Sequence, residues 1–246
     1  FSSPQILMPE NTNKDKASNY SMAFDGINDI MNVTYDISLS VAAGNHTLSY
    51  WIKTTSTALQ VVTEKGSSGE LVSWVFSSKL YWGGVNAFSS ATNINDGNWK
   101  HICLISDGAA SYIYINGVLD ATGGDKRDLT PNFAGFAIGA RAASSYPLNG
   151  NLDEISLFNS AKSIGDLWDG TGKPTDLTGE SGLVSWWRMG EKATFSTVWT
   201  VPDQIGSNTG TSANMTIEDR VGDAPDSSNN ALSYNMVEAD IEEEAP

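Results

Sequence analysis

Short runs that alternate apolar and polar residues, each closed by a turn signal, leave this chain little room for anything but antiparallel sheet. In Thr47-Leu-Ser-Tyr-Trp-Ile-Lys53, residues Leu48, Tyr50 and Ile52 fall on one face, because strand side chains point alternately to two sides. In Trp99-Lys-His-Ile-Cys-Leu-Ile-Ser106 the matching set is Trp99, His101, Cys103 and Ile105. Asp107-Gly108 then supplies a turn, residues 112–115 a second strand, and Asn116-Gly117 a second turn, both of residue types that tolerate positive φ. Further strands are predicted at 71–76, 135–139, 152–158 and 183–189. One helix of about two turns is expected at 160–168, closed by Asp169-Gly170. No amphipathic segment is long enough to act as a crossover, so a parallel α/β sheet is disfavoured. The expected fold is all-β: an antiparallel, two-sheet β-sandwich.

Charge narrows the classes of partner. The chain of 246 residues carries 14 Lys and Arg against 29 Asp and Glu, a net charge of −15. Nucleic-acid binding needs basic patches, so nucleic acid is not an expected partner. No stretch approaches 18 apolar residues, and no membrane insertion is expected. Cys103 stands alone, which excludes an intrachain disulfide.

Three regions are expected along the chain. Residues 1–19 form a polar arm without hydrophobic period, 20–200 the sandwich, and 201–246 an acidic C-terminal extension. The extension holds ten acids and one base, Arg220. It also contains a short repeat offset by 21 residues: Ser212-Ala-Asn-Met215 recurs as Ser233-Tyr-Asn-Met236, and Ala224-Pro225 as Ala245-Pro246. Such a segment is too polar to bury a core of its own and is expected to order only against another subunit.

Five motifs in order carry a resemblance. Phe24-Asp-Gly-Ile-Asn-Asp29, Trp99-Lys-His-Ile-Cys103, Tyr114-Ile-Asn-Gly-Val118, Leu148-Asn-Gly-Asn-Leu-Asp-Glu-Ile155 and Phe158-Asn-Ser-Ala161 resemble the laminin-G-like, concanavalin A-like jelly roll. The strand around 99–106 is similar to the pentraxin branch of that superfamily. The segment Gly182-Leu-Val-Ser-Trp-Trp-Arg-Met189 resembles the strand that usually opens such a domain, yet here it follows the Leu-Asp-Glu-Ile motif. The expectation is a permuted domain in which 183–189 closes its own sandwich; the alternative is that it pairs with a neighbouring chain by strand addition. The tandem arrangement resembles virion proteins of marine bacteriophages.

The chemistry is weighed on particular residues. A laminarinase-type glycosidase needs two carboxylates on one strand face. Alternation places Asp153 and Glu154 on opposite faces, and the literal Glu238-Ala-Asp240-Ile-Glu242 lies in the acidic tail. No catalysis is expected. His101 and Cys103 are read as core, as are Trp51, Trp74 and Trp99, while Trp186 and Trp187 must face opposite sides. The resemblance implies calcium, whose hard oxygen ligands would be Asp25, Asn28, Asp29 and Asp153. The plainer reading of Asp25 and Asn28 is turn capping. Tyr81, Trp82 and Phe88, around Gly83-Gly84, make a candidate sugar-binding loop.

The leading functional reading is a non-catalytic structural or adhesion module of a virion or other extracellular assembly, with other subunits as partners and surface glycans as a further partner. The alternative is a calcium-dependent, lectin-like carbohydrate-binding module of a cell-surface protein, and the weakest is a glycoside hydrolase.

Overall fold

The computed structural model describes residues 18–41, 43–65, 70–83, 87–126, 135–141 and 144–225. In chain order the strands are β1 (Ser21–Asp25), β2 (Ile30–Val33), β3 (His46–Lys53), β4 (Gln60–Lys65), β5 (Glu70–Phe76), β6 (Lys79–Trp82), β7 (Phe88–Asn93), β8 (Lys100–Ser106) and β9 (Ala110–Ile115). They continue with β10 (Val118–Gly124), β11 (Phe136–Ile138), β12 (Asn149–Phe158), β13 (Leu183–Trp187), β14 (Thr194–Phe195), β15 (Trp199–Val201), β16 (Gly210–Ala213) and β17 (Arg220–Val221). The expected helix is a single turn, α1 (Ile164–Leu167).

Two antiparallel sheets form the sandwich. The first runs β10-β9-β8-β3-β12-β1-β17, with β13 also on β12; the second runs β14-β15-β16-β2-β11-β4-β5-β6-β7. Alternation places Leu48, Tyr50 and Ile52 of β3 in the core, as expected, against Val62, Val75, Leu80, Trp82 and Phe136 of the facing sheet. Strand β12 is ten residues long and serves two partners along one edge. Its first half pairs with β1 (Met22 opposite Leu152) and its second half with β13 (Ile155 opposite Trp187). The 183–187 strand therefore closes its own sandwich. Trp187 points into the main core, where it stacks on Phe136, and Trp186 points the other way.

The boundary expected at residue 200 does not hold. Strand β15 crosses it, β16 pairs with β2 over four residues, and β17 pairs with β1. Val201, Met215 and Ala224 are buried. Residues 201–225 thus complete both sheets from within the chain, because backbone pairing with β1 and β2 supplies the order that their own apolar content does not. The second repeat unit and the Glu238–Asp240–Glu242 motif lie outside the described residues.

The outer face of the first sheet is itself covered. Residues 159–182 cross it, and Leu167 and Leu177 pack on Cys103, Ile105, Phe158 and Trp186 in a second apolar cluster. Lys162 pins the segment by pairing with both Asp166 (3.2 Å) and Glu180 (2.8 Å). Trp168 closes over His101, ring on ring at 5.4 Å. This closure needs Gly117, at φ +77°: a Cβ there would lie 2.2 Å from the Trp168 ring.

Candidate functional site

The expected calcium set is split by the register. Strand β1 places Asp25 opposite Asn149, so Asp153 lies four residues further along β12, roughly 13 Å away. On the loop itself, Asp25 Oδ1 accepts from the backbone N–H of Ile27 (2.7 Å) and of Asn28 (3.3 Å), and Asp29 Oδ2 accepts from Asp25 N–H at 3.0 Å. These acids cap their own turn. Burial, with the Asp25 and Asp219 charges adding to it, pushes Asp29 up to about 6. The loop does not fit a calcium ion together with Asp153.

Asp153 belongs to a different cluster. It, Glu154 and Glu191 bring carboxylate oxygens within 4.8 Å of one another, all three being buried. Alternation would have kept Asp153 and Glu154 apart. A β-bulge prevents that: Asp153 pairs with Trp51 and Ser156 with Ser49, so Glu154 and Ile155 share the place opposite Tyr50. Glu154 takes φ +50°, uncommon for a side chain with a Cβ, and both acids end on the outer side of the strand. The expectation of opposite faces is overturned. The signal was present in the sequence, since Leu152, Ile155 and Leu157 reach the core with a spacing of three and then two.

The cluster is held from every side. Arg188 Nε donates to Glu154 Oε1 at 3.0 Å and Trp186 Nε1 to Glu154 Oε2 at 2.6 Å. Ser18 Oγ and Glu154 N–H donate to Asp153, and the N–H groups of Asn19 (2.5 Å) and Tyr20 (2.9 Å) donate to Glu191 Oε1. The end of the expected polar arm is thus docked on the acids; residues 1–17 lie outside the described residues. Glu191 Oε2 is buried without a hydrogen-bond partner. Burial, together with the Glu154 and Glu191 charges, holds Asp153 well above the usual carboxylate range, and burial pushes Glu191 up to about 7. A glycosidase also needs two carboxylates brought close together. A sugar, however, would have to displace Arg188 and residues 18–20 to reach it. Among the described residues, no other group of three His, Cys, Asp or Glu side chains comes together in this way. Its oxygen-only donors and the unpartnered Glu191 Oε2 fit a hard metal ion.

The expected aromatic loop is also rearranged. Tyr81 and Trp82 end β6 and Phe88 opens β7. Trp82 is 1% exposed, in edge contact with His46, and Phe88 packs on the same core. They cannot form a platform with Tyr81, which points to the outer face of the second sheet. There Tyr81 sits directly across from Trp74, and the two rings stack at 5.5 Å with 8° between their planes. Both are half-buried, and Phe76 beside them is 46% exposed. Trp74 was expected in the core, as was Trp99, which lies at the surface with its Nε1 on Asp223 at 3.1 Å. Trp51 is buried, but beneath the 159–182 segment rather than between the sheets. His101 and Cys103 are buried there too, as expected. Burial pushes the histidine down to about 3 and the thiol up, so neither is poised as a base or nucleophile at neutral pH.

The comparisons agree with this architecture. The sequence profile of the Concanavalin A-like lectin/glucanases superfamily, in its laminin-G form, matches residues 25–166, and the chain belongs to that family. A solved structure of a candidate carbohydrate-binding protein from Bacteroides ovatus superposes with a TM-score of 0.65 at 17% identity. That match covers 80% of this chain and 59% of the Bacteroides chain, so the chain spans less than two thirds of that protein. A heptameric SAP-like pentraxin from Limulus polyphemus gives a TM-score of 0.46 at 14% identity, over 60% of this chain and 79% of its own. A structure of botulinum neurotoxin type C, whose cell entry depends on two ganglioside molecules, gives 0.46 at 15%, over 67% and 43%. No curated protein matches the sequence. Strands β13 to β17 lie beyond the family match, so residues outside it supply β13, the far end of the second sheet and one edge of the first.

Proposed function

We propose that this domain is a non-catalytic, lectin-like module that binds glycans at a surface, through the stacked rings of Trp74 and Tyr81. The observation that carries the reading is this pair, half-exposed on an open sheet face of a lectin-type sandwich. Sugar rings present C–H faces that lie flat on aromatic rings, and this parallel, half-exposed pair offers aromatic surface of that kind. Membership of the superfamily, and the likeness to a candidate carbohydrate-binding protein, support the same reading. Hydrolysis is the weaker reading, because the three carboxylates that do come together are buried behind an arginine. The calcium of the sequence reading enters here as an ion that holds the fold, away from the rings.

The test is a glycan array with the full chain, followed by titration of any hit. Binding is expected, with Trp74→Ala and Tyr81→Ala each weakening it at least tenfold while the protein stays folded, and with no reducing ends released. An array without a ligand, or undiminished binding by both variants, overturns the reading. Loss on Asn208→Ala alone would instead place the sugar in the polar groove of about 290 Å³ lined by Tyr35, Asp36 and Asn208.

A second reading, subunit contact in a virion or other surface assembly, is favoured by one feature. Strand β10 ends the first sheet and exposes Val118 (69%) and Leu119 (49%). An edge strand with exposed apolar side chains invites strand addition at that end. Light scattering should then show an oligomer that Val118→Glu disperses; a monomer at all concentrations overturns it.

A further inference from the structure

We propose that residues 228–246 are a second closing segment, able to replace 207–225 in the slot between β15 and β2 and along β1 of the same molecule. The proposal stands independently of the glycan reading.

The 21-residue repeat follows the burial pattern of its first unit. In 207–225 the buried residues are Asn208, Gly210, Ser212, Met215 and Ala224. Four of them recur unchanged as Asn229, Ser233, Met236 and Ala245, and Gly210 gains only a methyl group as Ala231. The exposed positions are where the units diverge: Thr211, Ile217, Glu218 and Arg220 become Leu232, Glu238, Ala239 and Ile241. Chance repetition in a polar stretch has no reason to sort itself by burial.

The recurring residues are also the ones that dock the first unit. Asn208 Nδ2 donates to Ser185 Oγ at 2.8 Å and to Ser38 Oγ at 3.0 Å, and Ser212 Oγ accepts from Trp199 N–H at 2.8 Å. Asn214, which recurs as Asn235, donates to the backbone oxygen of Asn28 at 2.8 Å. Met215 packs in the main core. Asp223 accepts from Lys53 Nζ at 2.6 Å and from Trp99 Nε1 at 3.1 Å, and its counterpart Glu244 is again an acid. The rest of the hold is backbone pairing with β2, Thr211 opposite Asn32 and Ala213 opposite Ile30. Residues 228–245 contain no proline, so they can supply the same N–H groups.

The two units are not equal. Arg220 lies over the rings of Tyr20 (4.7 Å) and Trp199 (5.5 Å), and Ile241 has no charge to place there. A Cβ at Gly210 would lie 2.8 Å from Met31 Sδ, so the methionine must shift to admit Ala231. Residues 228–246 carry five acids and no base, against three acids and one base in 207–225. The first unit is therefore the resting occupant and the second a weaker competitor. Looping out the intervening chain opposes the exchange only weakly, since closure entropy grows with the logarithm of length. Exchange moves the closing point by 21 residues, about 70 Å of extended chain, so the tail leaving the sandwich has two lengths.

The experiment uses the full chain and the two equivalent methionines. Met215→Asp puts a charge into the buried place of the first unit, and Met236→Asp does the same to the second. Met236→Asp alone should leave the melting temperature unchanged. Met215→Asp alone should lower it by less than half as much as the double variant, which should lose about 6 °C or more or fail to fold. A double variant that melts with Met215→Asp overturns the proposal, and so does a Met215→Asp chain that does not fold. Cross-linking reads the exchange directly. Asn32→Cys with Thr211→Cys joins two exposed residues paired in the resting register and serves as the control. On the Met215→Asp background, Asn32→Cys with Leu232→Cys should form a disulfide within one chain on a non-reducing gel. No such bond where the control forms, or one that joins two chains, overturns exchange within the molecule.

Discussion

The two outer faces of this sandwich have been treated in opposite ways. On the first sheet, Trp51, His101, Cys103 and Trp186 lie beneath the 159–182 segment, with the acids and Arg188 buried alongside. On the second, Trp74 and Tyr81 stack on each other and stay half-exposed, with Phe76 open beside them. The same residue types thus serve stability on one face and remain available on the other. An aromatic side chain therefore says little about recognition until its face, and what lies over that face, are known.

Three perturbations would break or sharpen this contrast. The largest effect is expected on the covered face. Arg188→Met leaves the buried acids without their guanidinium and should cost about 3–5 kcal/mol in urea unfolding. Trp186→Ala empties a packed site and should cost a similar amount. A loss under 1 kcal/mol in both would mean that the first sheet's outer face is not a second core.

The next effect is on pH. Burial holds His101 neutral in the folded protein, its pKa near 3 against about 6.5 in the unfolded chain. The unfolded state therefore binds more protons in that window, and this histidine's contribution is lost as pH falls from about 6.5 towards 3. The slope should approach about 1.4 kcal/mol per pH unit. Glu191 and Asp153, raised by burial, act in the opposite sense and destabilise as pH rises through their folded values. Comparing His101→Gln with the wild type isolates the histidine: the wild type's stability relative to the variant should fall as pH drops from about 6.5 towards 3, and a constant difference would refute its burial.

The smallest stability effect belongs to the open face. Trp74→Ala should cost about 1 kcal/mol or less, because the ring is only half-buried and its main loss is one stacking contact. A cost like that of Trp186→Ala would show that the second sheet's outer face is also structural, and would weaken its role as a platform.

Much of the fold was legible because strand alternation is a local property. Leu48, Tyr50 and Ile52 had to share a face, and Trp186 and Trp187 could not. The Asn116-Gly117 turn was readable from residue type alone. The sandwich pairing of residues 199–221 was not, because Gly210-Thr-Ser-Ala213 has almost no apolar content and becomes a strand through backbone bonds to β2. The candidate sites were less legible still. Tyr81, Trp82 and Phe88 share a candidate loop only because they flank Gly83-Gly84, whereas neighbours in a strand face opposite ways; the ring that stacks on Tyr81, that of Trp74, comes from the next strand over. Asp153 was assigned to the wrong neighbours because the pairing register that sets Asp25 opposite Asn149 is not written in either strand, and Glu154 was turned to the wrong face because a bulge breaks the alternation.

That bulge also makes β12 uneven in its tolerance of insertions and deletions. Deleting a residue elsewhere in the strand would throw one half out of phase, turning Leu152 or Leu157 outward. Deleting Glu154 would do the reverse. Leu152, Ile155 and Leu157 would fall into strict alternation, and β12 would run in unbroken register with β3. A chain shortened at that one position should keep its core and its pairing while losing the carboxylate that faces Arg188. The extra residue is therefore dispensable to the sheet, and what it adds is the cluster it builds.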